Sequence, residues 1–343
     1  MTDFTLKGLG WSPFFAAQTD PETLALAARI STVARDRLGA LTPQGAITLR
    51  TPGSTGDYAV GDWVLTTPDG SAVDRLLDRQ TSLKRRAAGH NVEAQLIAAN
   101  VDTFGIVTSC NADFNIARLE RYLALAASAG CLPLVILTKA DLCEDARDYA
   151  RRAERLSPLV TAITLNATDP DEIDALAPWC GNGQTLVLAG SSGVGESTLS
   201  NLLTGGDAAT RGIREDDAKG RHTTTSRDLA RTRFGGWLID TPGMRSLPLA
   251  DVADGIEAVF EDIEALATAC KFTDCAHDTE PGCAIQAAIA AGDLTPDRLA
   301  RWQKLKREDA HNSAALHEAR ARDKSLHKMY RGAQSAKRTR RQD

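Results

Sequence analysis

No run of about 18 or more apolar residues occurs in the 343-residue chain, so a helical membrane span is not expected. The first residues, MTDFTLKGLGWSPFF, carry the acidic Asp3 and lack a long apolar core. No secretory signal is expected, and the cytoplasm is the expected location. Cysteine is sparse and odd in number, seven in all, which argues against a disulfide framework. Cys110, Cys131, Cys143 and Cys180 stand singly among apolar neighbours and read as core thiols. There is no internal repeat and no long low-complexity linker. Nor is the chain a polycation, since its net charge is −5. Basic residues gather instead at the C-terminal end, as Arg320, Arg322, Lys324, Lys328, Arg331, Lys337, Arg338, Arg340 and Arg341. A basic tail on an acidic protein points to a nucleic-acid partner; a solvated, frayed terminus is an equally good reading.

What is present divides the chain in three. Residues 1 to about 25 read as a helical lead-in. ISTVARD, GAITLR, YAVGDWVLTT and AVDRLLDR then form short strands separated by turn clusters such as TPGSTGD and TPDGS. That spacing predicts a small β-barrel such as an OB-fold over residues 1–90. From 91 to 250 buried apolar runs alternate with helical patterns. The runs are FGIVTS, LPLVILT, AITLN, TLVLA and WLID, and the pattern is that of an α/β domain with a mostly parallel sheet. Residues 251–343 read as helices around a cysteine-rich knot, followed by the basic tail.

Gly190 to Ser197 reads GSSGVGES, after the strand TLVLA and before the helix STLSNLL. A P-loop is G-x-x-x-x-G-K-[ST] in that setting. Gly190, Ser191, Ser192, Gly193, Val194 and Gly195 would wrap phosphate oxygens with backbone N–H groups. Ser197 would ligate Mg²⁺, and Thr198 follows it on the helix. The lysine position holds Glu196. Lysine there reaches the β- and γ-phosphates, and a carboxylate turns attraction into repulsion. A plain tight turn is the bland reading of the loop.

Thr138-Lys139-Ala140-Asp141 follows LPLVIL and has the form of the N/T-K-x-D guanine motif. Asp141 can accept the two guanine N–H donors, and Lys139 can lay its stem along the base. Thr138 keeps a hydroxyl but lacks the amide of the usual Asn. Asn166 and Ala167, after AITL, complete the expected nucleotide contacts. Asp240-Thr241-Pro242-Gly243 follows WLI as a D-x-x-G switch, with Asp240 toward Mg²⁺ and Gly243 toward the γ-phosphate. GRHTTTS supplies Thr224 and Thr225 for Mg²⁺ and phosphate. Taken singly, each of these could be a cap, a turn or a strand edge. Their joint occurrence is far more specific, and TKAD precedes the P-loop in the chain. That order implies a circularly permuted GTPase whose switches lead directly into the C-terminal region.

The last motif is CKFTDCAHDTEPGC. Cys270, Cys275, His277 and Cys283 supply three thiolates and an imidazole, which suits a closed tetrahedral Zn²⁺ site of structural kind.

Together these motifs make the chain resemble the ribosome small-subunit-dependent GTPase A family, circularly permuted bacterial GTPases that act late in small-subunit assembly. The resemblance spans nearly the whole chain: LGWSPFFAAQ, AVGDWV, IAANVD, LTKADL, SSGVG, GRHTTT, LIDTPGMRSL and CKFTDCAHDTEPGCAI. IAANVD is expected on the first strand of the α/β sheet. The resemblance implies an OB-fold, a permuted GTPase domain and a zinc domain that contacts ribosomal RNA. It further implies GTP hydrolysis stimulated by the small subunit. The family lacks the water-orienting glutamine of Ras-like enzymes, and Met244 after DTPG fits its hydrophobic replacement. His222 is then the candidate for positioning the attacking water; shaping the switch is its other reading. Family members carry GVGKS where this chain has GVGES, which puts nucleotide affinity and turnover in doubt. Two functions follow for what is expected to be a monomer: a GTPase of small-subunit maturation, or a ribosome-docking factor without useful turnover. An unrelated ATPase fits TKAD and the zinc knot poorly.

Overall fold

A computed structural model describes residues 4–86, 94–205, 228–240 and 251–314. The N-terminal lead-in is less helical than its sequence suggests. It holds only the short helix α1 (Pro13–Ala16) and a 3₁₀ turn begun by Pro21. Five strands follow: β1 (Ala27–Val33), β2 (Leu38–Thr42), β3 (Gly45–Leu49), β4 (Trp63–Thr66) and β5 (Val73–Leu76). β1 pairs antiparallel with both β2 and β4, β2 pairs with β3, and β4 with β5. A parallel bridge from Arg50 to Ala72 ties the end of β3 to the start of β5 and closes the ring. This is the five-stranded, partly open barrel of an OB-fold. Ala28, Ile30, Leu38, Ala40, Leu49, Val64 and Val73 fill it. β2 escapes the sequence reading because Gly39 and Ala40 lower its β-propensity. Gly39 is needed there, since a Cβ would lie 2.3 Å from the Thr32 hydroxyl.

β6 (Ser82–Arg86) and β7 (Ala94–Ala99) then form a separate antiparallel pair. IAANVD therefore does not form the first strand of the α/β sheet. Ile97–Ala99 end β7, and the sheet begins at β8 (Thr103–Ser109). The break falls at Asn100, whose φ of 55° leaves the strand region. Asn100 instead knots the barrel to the next domain. Its side chain donates to the Gly61 carbonyl at 3.0 Å and accepts from the Gln80 N–H at 2.9 Å. Gly61, in AVGDWV, has φ +94°, and a Cβ on it would come within 2.1 Å of the Ala99 carbonyl oxygen. Buried Arg29 of β1 adds bonds to the carbonyl of Leu9 at 2.6 Å and the hydroxyl of Thr185 at 2.6 Å. Burial brings its guanidinium down to about 10. These family motifs are thus joints between barrel and sheet.

The rest of the α/β region runs α2 (Ile116–Ala129), β9 (Leu132–Thr138), α3 (Ala146–Glu154), β10 (Thr161–Thr164), α4 (Ala177–Cys180), β11 (Thr185–Gly190), α5 (Glu196–Leu203), β12 (Asp228–Arg231) and β13 (Trp237–Asp240). The sheet order is β10-β9-β8-β11-β13-β12. The first five strands are parallel, while β12 lies antiparallel at β13 and touches β1 through Thr32 and Asp228. The continuous apolar runs have a simple cause: both faces are covered. Phe104, Ile106, Val135, Leu137 and Val187 pack toward α2, whereas Leu134, Ile136, Leu186 and Leu188 pack toward α5. Cys110, Cys131 and Cys180 are core thiols, pushed up to about 11, 12 and 12 by burial. Cys143 is partly exposed.

Helices α6 (Ala253–Val259), α7 (Glu261–Thr268), α8 (Ala284–Ala291) and α9 (296–314) complete the described chain. α6 crosses α2 so closely that a Cβ on Gly255 would lie 1.9 Å from the Ala124 carbonyl oxygen. Glu120 of α2, fully buried, accepts from Arg301 at 2.6 Å and Arg298 at 3.2 Å, and Arg121 forms two bonds of 2.5 Å to Glu308. Removing one partner of such a buried pair typically destabilises by about 3 kcal/mol or more, so this is a firm attachment of the C-terminal helices to α2. Among the described residues no helix is long and apolar enough to cross a membrane.

Candidate nucleotide edge and metal centre

Because β8, β9, β10, β11 and β13 are parallel, their C-terminal ends share one edge. In open α/β sheets that edge is where ligands bind. The TKAD motif ends β9, Asn166 and Ala167 follow β10, GSSGVGES follows β11, and Asp240 ends β13. Motifs far apart in the chain thereby become neighbours.

Their contacts are direct. The buried Thr138 hydroxyl donates to the Val194 carbonyl of the Gly-rich loop at 2.5 Å, with the Thr108 carbonyl at 3.1 Å. The Lys139 ammonium donates to the Gly193 carbonyl at 2.9 Å. Lys139 itself has φ 57°, which turns the chain sharply at the strand end. Gly193 and Gly195 have φ of +82° and +97°, left-handed values that let the loop curl back before α5. A Cβ on Gly195 would lie 3.4 Å from the Ala167 Cβ, so buried Ala167 forms the loop's floor. Asn166 caps its own turn, accepting from the Thr168 N–H at 2.9 Å and the Thr168 hydroxyl at 2.7 Å. Asp141, Ser192, Gly193, Ser197 and Thr198 are exposed along this edge.

Glu196 opens α5 and is half-buried. Burial first, and then the Glu196 carboxylate, raise the phenol of buried Tyr122 on α2 above its usual range. The backbone of Asp240 pairs with Asp228 in β13 and β12. His222, Thr224, Thr225, Gly243, Met244 and the basic tail lie outside the described residues.

Two residues here carried no motif signal. The Ser191 hydroxyl donates to Asp113 at 2.5 Å, and Asp113 is paired with Arg118 at 3.2 Å. Asp113 follows β8 and Arg118 lies in the first turn of α2. The available clue was the position of Asp113 just past the C-terminal end of a parallel strand.

In the C-terminal helical region, Cys270, Cys275, His277 and Cys283 bring their ligand atoms within 4.8 Å of one another. The Cys270 and Cys283 sulfurs lie 3.6 and 3.7 Å from the His277 Nδ1 and 3.9 Å apart. Zn–S and Zn–N bonds of about 2.3 and 2.0 Å imply tetrahedral edges of roughly 3.6–3.8 Å. The donor set and its spacing fit such an ion. A neighbour not foreseen is Glu280, whose carboxylate accepts the N–H groups of Ala276, Asp278 and Thr279 at 2.8, 2.9 and 3.1 Å. It folds the loop that carries His277, and its own backbone N–H, followed by those bonds, holds its carboxyl below the usual range. Gln286 fixes the other side by donating to the His277 carbonyl at 2.7 Å.

The profile of the RsgA GTPase family matches residues 76–250. A small ribosomal subunit biogenesis GTPase RsgA of Mesorhizobium japonicum is 54% identical over 90% of this chain and 91% of its own length. This chain belongs to the RsgA GTPase family. A second family member, the small ribosomal subunit biogenesis GTPase RsgA 2 of Vibrio parahaemolyticus, is 48% identical over 99% of the chain and 96% of its own. The fold agrees with YjeQ from Thermotoga maritima, at TM-score 0.61 and 24% identity over 82% of this chain and 97% of that one. YloQ, described as a circularly permuted GTPase, aligns at TM-score 0.59 and 22% identity over 86% of this chain and 99% of its own. RsgA-family membership accounts for the motif order, with the guanine motif ahead of the P-loop.

Proposed function

We propose that this chain is a guanine-nucleotide-binding factor of small ribosomal subunit maturation, cytoplasmic, with hydrolysis weakened by Glu196. The supporting observation is the bonding of Thr138 and Lys139 to the carbonyls of Val194 and Gly193, which joins a guanine motif to a phosphate loop. In this reading Asp141 accepts from the guanine N–H groups beside Asn166 and Ala167. Gly190, Ser191, Ser192, Gly193, Val194 and Gly195 wrap the phosphates with backbone N–H groups, and Thr198 lies on the helix beyond. Ser197, with Asp240 and Thr224 or Thr225, holds Mg²⁺, which when bound neutralises phosphate charge. Gly243 meets the γ-phosphate, and His222 helps orient the attacking water. Zn²⁺ on Cys270, Cys275, His277 and Cys283 shapes a domain that meets ribosomal RNA together with the barrel and the basic tail. Glu196 favours a second reading, a docking factor without useful turnover, because it puts a negative charge where the phosphates need a positive one.

Sedimentation with purified small subunits tests the proposal. The chain is expected to co-sediment with a non-hydrolysable GTP analogue and less with GDP. Binding should weaken steeply with salt as phosphate contacts release counterions. Equal binding with and without nucleotide supports the docking factor. No binding at low salt in any nucleotide state overturns both readings.

A further inference from the structure

The loss of the P-loop lysine raises the question of which cation can meet the phosphates. Three described cations lie at or near this edge. Lys139 is committed to the Gly193 carbonyl at 2.9 Å. Arg121 is committed to Glu308 by two bonds. Arg118 is different. The four hydrogen bonds of its guanidinium among the described residues all go to Asp113, through Nη1 and Nη2 at 3.0–3.4 Å. Asp113 in turn accepts the hydroxyl of Ser191, the second residue of the Gly-rich loop. Arg118 and Asp113 are about one third exposed, at 31% and 35%, so neither is locked in the core.

We propose that Arg118 is the phosphate-binding cation of this chain, taking over the charge role of the lysine that Glu196 replaces. The inference rests on the guanine-nucleotide reading above. Asp113 holds the guanidinium beside the loop while no phosphate is present. An arriving phosphate carries more negative charge than one carboxylate and competes for the same fork. Guanidinium has five N–H donors and binds carboxylate or phosphate bidentately, so it can bridge Asp113 and a phosphate oxygen. A shared location supports this. The hydroxyl of Ser191 bonds Asp113, and Glu196 opens α5 directly after the loop that Ser191 belongs to.

The test is a double-mutant cycle read by fluorescent GDP affinity, in this chain, Arg118→Ala, Glu196→Lys and the double variant. Arg118→Ala is expected to weaken binding at least about tenfold with Glu196 present, but less than about threefold once lysine is restored. Arg118→Lys, which keeps the charge but not the planar fork, should recover part of the affinity. Asp113→Asn, which breaks the ion pair but keeps the guanidinium, should lose less than Arg118→Ala. Circular dichroism and melting of each variant separate misfolding from lost binding. Equal losses from Arg118→Ala in both backgrounds, or as large a loss from Asp113→Asn, would make Arg118 a structural clamp and overturn the proposal. Undetectable binding by this chain beside tight binding by Glu196→Lys overturns it too, while leaving the nucleotide reading intact. If Glu196→Lys also fails to bind GDP, the nucleotide reading falls and the proposal with it.

Discussion

Replacing Glu196 by lysine is expected to tighten GDP binding by about thirtyfold or more, equivalent to roughly 2 kcal/mol. Two unit charges about 4 Å apart interact by roughly 4 kcal/mol at an effective dielectric near 20, and the substitution reverses the sign of one of them. Glu196 is half-buried at the start of α5, and its carboxylate can swing toward solvent. The gain is therefore set below the full Coulomb value. Isothermal titration with GDP measures it directly. An unchanged affinity would mean that position 196 does not reach the phosphates.

Removing the metal is expected to have the larger structural effect. The 270–283 loop has little apolar core of its own: Phe272 is exposed, and the loop is gathered by the four ligands and by the hydrogen bonds of Glu280 and Gln286. Structural zinc contributes about 10–16 kcal/mol of apparent binding free energy in small zinc domains, which exceeds what such a loop can supply otherwise. Chelation, or Cys270→Ser, should therefore melt the loop and α8. The helices bolted to α2 by Glu120, Arg298 and Arg301 should persist longer. Limited proteolysis is expected to cut first between residues 270 and 283, and metal analysis of the untreated protein to return about one zinc per chain. A metal-free protein with the same melting temperature and the same protease resistance would contradict this.

Much of this molecule was legible in its sequence, for identifiable reasons. The parallel strands were visible because both their faces are buried, which leaves unbroken apolar runs such as LPLVILT. The cysteine cluster was visible because its ligands are close in sequence. β2 and β7 were less legible. LGALT has small residues that fit only because β1 passes close by, and IAANVD looked like a strand start although Asn100 turns the chain to bind the barrel. The contacts of the nucleotide edge were legible in part. TKAD and the Gly-rich loop announced themselves by spacing. Their mutual bonds, and the Ser191–Asp113–Arg118 chain, arise only when β8, β9 and β11 lie side by side. Glu280 escaped for the same reason: a carboxylate that ties three backbone N–H groups has no sequence signature.

The most direct test of the central claim is GTP hydrolysis by this chain and by Glu196→Lys, each with and without purified small ribosomal subunits. The account predicts that the lysine variant turns over GTP and is stimulated by the subunit, while the Glu196 chain is much slower under both conditions. Absence of stimulation in the lysine variant, or equal turnover by the two proteins, would contradict it.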